Sequence, residues 1–62
     1  MNKCHLWVTW NEGRDYRIIE ADYITSKKGS IRFWKETKNG NILLAASPTE
    51  RTFIYKIERP NE

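Results

Sequence analysis

Apolar and polar residues alternate in short runs along this chain, and clusters of turn-forming residues cut each run from the next. Alternation with a period of two is the pattern of a strand that keeps one face in a core. No window of eleven residues sustains an apolar stripe at helical spacing, which argues against a helical bundle. The first run, Cys4 to Trp10 (CHLWVTW), puts Cys4, Leu6, Val8 and Trp10 on one face and His5, Trp7 and Thr9 on the other. The second, Asp15 to Ile24 (DYRIIEADYI), keeps Ile19 and Ala21 together, but its next apolar candidate, Ile24, falls three residues on. A β-bulge near Asp22 and Tyr23 returns Ile24 to the core side.

The third run, SIRFWKET from Ser30, points Ile31 and Phe33 one way and Arg32 and Trp34 the other. Asn39-Gly40 follows, a pair that tolerates the positive φ of a type I′ hairpin. Ile42 to Ala46 (ILLAA) is nearly all apolar and reads as a strand covered on both sides. Ser47-Pro48-Thr49-Glu50 matches a capping box, with serine at N-cap, proline at N1 and glutamate at N3. The β-branched segment TFIYKI begins at Thr52, so only one helical or 3₁₀ turn fits near residues 48–51. In the last strand Phe53, Tyr55 and Ile57 share a face, opposite Ile54 and Lys56.

These elements define a single all-β domain over residues 1–62, with five short antiparallel strands and one helical or 3₁₀ turn. Their order resembles an SH3-like small barrel. The resemblance implies topology only, since the acidic and aromatic groove motifs of peptide-binding SH3 domains are not legible and recognition of PxxP ligands does not carry over. A twisted meander closed by dimerisation is the alternative architecture.

A chain of 62 residues buries only about 60% of its unfolded surface and leans on disulfides, metals or partners for support. Cys4 is the sole cysteine, which excludes an internal disulfide and suits a reducing compartment. With one histidine beside it, a structural zinc site lacks ligands. The chain opens on Met1 with no apolar leader and no run long enough to span a bilayer, so it reads as a complete cytoplasmic product.

No motif for nucleotide, cofactor or metal chemistry is present. Cys4 and His5 adjoin on a strand and therefore point to opposite faces, a poor arrangement for a thiolate–imidazolium pair. Cys4 reads as a small buried hydrophobe. Glu20 and Asp22 share a face if their strand stays regular, where cross-strand basic partners are the ordinary finding. The expectation is a non-enzymatic protein without catalytic residues, metal or cofactor.

Three tryptophans and three tyrosines exceed what so small a core accommodates. Trp10 and Phe33 fall on core faces. Trp7 and Trp34 fall on the opposite ones, where they either close over the barrel or form a contact patch. Trp7, Arg32 and Trp34, with Arg17 and Tyr23, are the candidate partner-binding residues, because Trp, Tyr and Arg dominate interface hot spots. The partner is a host protein or a second copy of the chain. Alternatively, bases of a single-stranded nucleic acid or a nucleotide stack on Trp34 or Tyr23 while Lys27, Lys28 and Arg32 meet phosphates. Eleven basic and eight acidic side chains give a net charge of +3, modest for a nucleic-acid binder. The nearby carboxylates Glu20, Asp22 and Glu36 tilt the expectation toward protein.

The pattern Ile19-x-Ala21-Asp22-x-Ile24, then Gly29-Ser30-Ile31-x-Phe33, then Leu44-Ala45-Ala46-Ser47-Pro48 looks like small β-proteins of phages and bacterial mobile elements. That resemblance implies a compact accessory protein of the host cytoplasm that inhibits or modulates a host protein, defence proteins among them, by direct contact. It transfers no catalytic residue.

Overall fold

The computed structural model describes residues 1–60 and consists almost entirely of strand. Strands β1 (Asn2–Trp10), β2 (Gly13–Ala21), β3 (Tyr23–Lys27), β4 (Ser30–Thr37), β5 (Gly40–Pro48) and β6 (Thr52–Glu58) form two antiparallel three-stranded sheets. The first sheet has the order β2-β1-β6 and the second β3-β4-β5. No pairing joins β5 to β6, so the barrel is not closed and the twisted, meander-like form is the one observed.

Six strands replace the expected five because the second run divides at Asp22. Ala21 and Ile24 both turn inward, and two inward positions set three residues apart require the alternation to slip once. The slip occurs as a bend between strands rather than as a bulge within one. The Asp22 backbone N–H donates to the Trp34 carbonyl at 2.7 Å, and the Asp22 carboxylate accepts from the Glu36 N–H at 2.7 Å. One continuous segment thus serves both sheets.

The sheets pack through Cys4, Leu6 and Ala21 from one and Ile31 and Phe33 from the other, all buried. Val8, Ile19, Ile24, Ala45 and Ile54 pack around them. A molecule of 40 × 28 × 12 Å has room for little more. Burying a Leu or Phe side chain is worth about 1.5–3 kcal/mol, so Leu6 and Phe33 carry much of the cohesion.

Several expectations fail for local reasons. Trp10 lies on the inward face but pairs with Gly13 at the tip of the first hairpin, where it is 41% exposed. β5 is an outer strand, and Ile42, Leu43 and Leu44 are exposed rather than covered. β6 shifts register opposite His5/Leu6, so Ile54 and Ile57 both stand on the inward side, opposite Leu6 and Cys4. A 3₁₀ turn at Thr49–Arg51 lies where one was expected, but Pro48 stands at its N-cap and no side chain caps it. Ser47 instead hydrogen-bonds Thr52, whose hydroxyl also donates to the Pro48 carbonyl at 2.6 Å.

The type I′ pattern sits at an unexpected turn. Gly40 alone has positive φ (127°) in the Asn39-Gly40 hairpin, whereas Lys28 (51°) and Gly29 (77°) are both positive in the preceding one. Lys27 pairs with Ser30 across those two residues, a two-residue loop of the I′ kind.

Candidate interaction face on the first sheet

In an antiparallel ladder, directly opposed residues project to the same face. Trp7 stands opposite Tyr16 on one side and Phe53 on the other. The three rings therefore make a continuous row across the outer face of the first sheet. Tyr16 packs against Trp7 with ring centroids 5.0 Å apart and planes inclined at 58°. The Arg14 guanidinium lies 4.6 Å from the Trp7 ring centroid, within cation–π range. Phe53 is 64% exposed, and Ile18, in the adjacent row opposite His5, is 52% exposed.

Beside this row lies a partly buried polar link. His5 Nε2 is 3.0 Å from Glu58 Oε1, and His5 Nδ1 hydrogen-bonds the Tyr16 hydroxyl. An ionised carboxylate only accepts, so the His5 Nε2–H donates to Glu58. The bond from His5 holds the Glu58 carboxyl below its usual range, aided by the nearby charges of Lys56 and Lys3. The link fixes the Tyr16 ring beside Trp7. Lys3, Glu20, Glu58 and Arg59 line a shallow cleft of about 300 Å³ at the end of the same sheet.

The proposed partner-binding residues do not come together. Trp7 belongs to the aromatic row, but Arg17 lies opposite Leu6 on the inward face and pairs with Asp15 at 3.5 Å, so it does not accompany Trp7. Tyr23, Arg32 and Trp34 share the outer face of the second sheet. The two sheets pack inner face to inner face, so these surfaces look away from each other. On the second sheet Tyr23 and Trp34 are cross-strand partners with ring planes 9° apart and centroids 6.1 Å apart. The Trp34 indole N–H donates to Thr25 Oγ1 at 2.8 Å, and Asn41 Nδ2 donates to the Tyr23 hydroxyl at 2.7 Å. Lys27 shares this face, while Lys28 sits in the turn beyond it.

Cys4 is buried on the face opposite His5, and burial pushes its thiol pKa up, away from the thiolate that a nucleophile requires. Sequence reasoning missed Arg14, Tyr16, Ile18 and Phe53. The signal for the first three was the hairpin register: pairing Trp10 with Gly13 sets Trp7 against Tyr16, not Arg17. No known protein-family model matches the chain, and comparison with curated proteins and solved structures likewise returns no match.

Proposed function

We propose that this protein is a non-enzymatic binding domain that engages a partner protein through the outer face of its first sheet. The observation that carries the reading is the Phe53–Trp7–Tyr16 row, exposed at its edges and bordered by Ile18 and Arg14. Exposed apolar patches of this kind mark interaction sites in small soluble domains, and Trp, Tyr and Arg supply most hot-spot energy. Arg14 and Lys56 flank the row, so the complementary surface carries acidic groups at its rim. Together with the likeness to phage and mobile-element β-proteins, this supports an accessory protein of the host cytoplasm that modulates a host protein by contact.

Both His5 nitrogens are engaged within the protein, which favours a structural histidine over an acid–base group. The tilt of Tyr16 against Trp7 and the guanidinium over Trp7 favour a knobbed protein contact over a flat base-stacking platform. A second reading has its own support: the near-parallel Tyr23–Trp34 pair, with Arg32 and Lys27 on the same face, suits a single-stranded nucleic acid.

Affinity capture from host cytoplasm with the unaltered chain, Phe53→Ala and Lys27→Ala separates the two. The protein reading expects a stoichiometric partner that Phe53→Ala loses and Lys27→Ala retains. Retention by Phe53→Ala counts against the first-sheet face. Salt-sensitive binding of a labelled single-stranded oligonucleotide, lost in Lys27→Ala, establishes the nucleic-acid reading instead.

A further inference from the structure

Strand β5 is bonded on one side only, by β4, and leaves its other edge open. Open edges invite pairing with another chain, and proteins commonly guard them with charged side chains, proline or bulges. Three of the four outer strands carry charge: Arg14, Asp15, Arg17 and Glu20 on β2, Lys27 on β3, Lys56 and Glu58 on β6. β5 has the sequence GNILLAASP, without a single formal charge. Ile42, Leu43 and Leu44 on it are 51%, 48% and 41% exposed, three consecutive large aliphatic residues. Its only safeguards are the register shift opposite Phe33/Trp34 and the terminal Pro48.

The accessible surface is 4985 Å². Size scaling gives a compact monomer of this mass about 4,200 Å². The excess of roughly 800 Å² equals what one partner contributes to an interface of standard size.

We propose that β5 pairs antiparallel with β5 of a second copy about a two-fold axis near Leu43 and Leu44, fusing two β3-β4-β5 sheets into one six-stranded sheet. A strand paired with itself meets its own charges, so an uncharged strand suits a copy of the same chain. The contact is isologous and closes at two subunits. It bonds the outward N–H and C=O groups of β5 and sets the side chains of Ile42, Leu43 and Leu44 beside those of the partner strand. The aromatic row on the first sheet is a separate surface, so the dimer and the partner-binding reading fail independently.

Light scattering on the full chain during size-exclusion chromatography at about 100 μM, a concentration at which mass action favours assembly, tests the proposal. The expected mass is twice the 7.4 kDa of the chain. Leu43→Lys gives the monomer mass with an unchanged far-ultraviolet circular dichroism spectrum, whereas Ile18→Lys on the other sheet remains dimeric. A monomeric unaltered chain, or a dimeric Leu43→Lys, overturns the proposal. If Leu43→Lys does not fold, the unaltered chain decides through its concentration dependence. A dimer has a thermal midpoint that rises with concentration, and the β5 amides not bonded to β4 lose exchange protection on dilution. Invariance of both refutes self-pairing.

Discussion

His5 Nε2 lies 3.0 Å from Glu58 Oε1, joining the first strand to the last across 53 residues of sequence. A carboxylate whose pKa falls on folding stabilises the fold above its ordinary range and loses that contribution as pH drops through the lowered value. Glu58 is such a group, held down first by its bond to His5. Glu58→Gln removes the charge at every pH. The unaltered chain is therefore expected to melt higher than Glu58→Gln at about pH 6, with the gap closing below the ordinary glutamate range near pH 4.3. Thermal melts across that window check it, and a gap that stays constant counts against the link.

Stability and recognition separate along the aromatic row. Tyr16→Phe keeps the ring against Trp7 but removes the hydroxyl bonded to His5. A loss of about 0.5–1.5 kcal/mol in urea unfolding is expected, with partner binding nearly unchanged. Phe53→Ala, at the most exposed ring of the row, does the reverse: the fold holds and binding weakens at least tenfold. Comparable unfolding losses in both variants contradict this division.

Lys28 adopts φ 51° in a turn where glycine and asparagine are at ease. An L-residue in the left-handed region costs about 1–2 kcal/mol, and Asn-Gly is the favoured pair for a I′ loop. Lys28→Asn is expected to stabilise the domain by roughly 0.5–1 kcal/mol, read as a higher urea midpoint with an unchanged slope. A lower midpoint shows that the lysine charge outweighs its strained backbone.

The buried Cys4 thiol reports on opening of the core. In the folded protein its reaction with a disulfide reagent at neutral pH is expected to be at least a hundredfold slower than in urea. Rapid labelling under native conditions shows that the Cys4 end of β1 frays.

Phe33 and Ile31 are buried as their alternation indicates, and Cys4 fills the core beside them. The break at Asp22 was legible too, because a spacing of three from Ala21 to Ile24 cannot satisfy a period of two. Alternation assigns faces but not how far one sheet overlaps the other. Trp10, Asp15 and Arg17 occupy inward positions of the first hairpin yet remain exposed, because that hairpin reaches beyond its cover. Ile42 to Leu44 misled for a related reason: an all-apolar run marks a doubly covered strand only when neighbours exist on both sides. The candidate face was half legible. Trp7 pointed to it, but Phe53 entered only through a register shift in β6 that no local pattern announces.

The pairing of Lys3 with Glu58 sets the beginning of the first strand beside the end of the last. The second sheet is a single uninterrupted stretch of chain, while the first is assembled from both ends. In connectivity the molecule is a ring cut at one point, and the position of that cut is of little structural consequence. A short peptide bridging the two ends, with new termini opened between Lys38 and Asn39, preserves every strand. For the same reason the whole unit can be spliced into a surface loop of an unrelated carrier through one pair of adjacent attachment points.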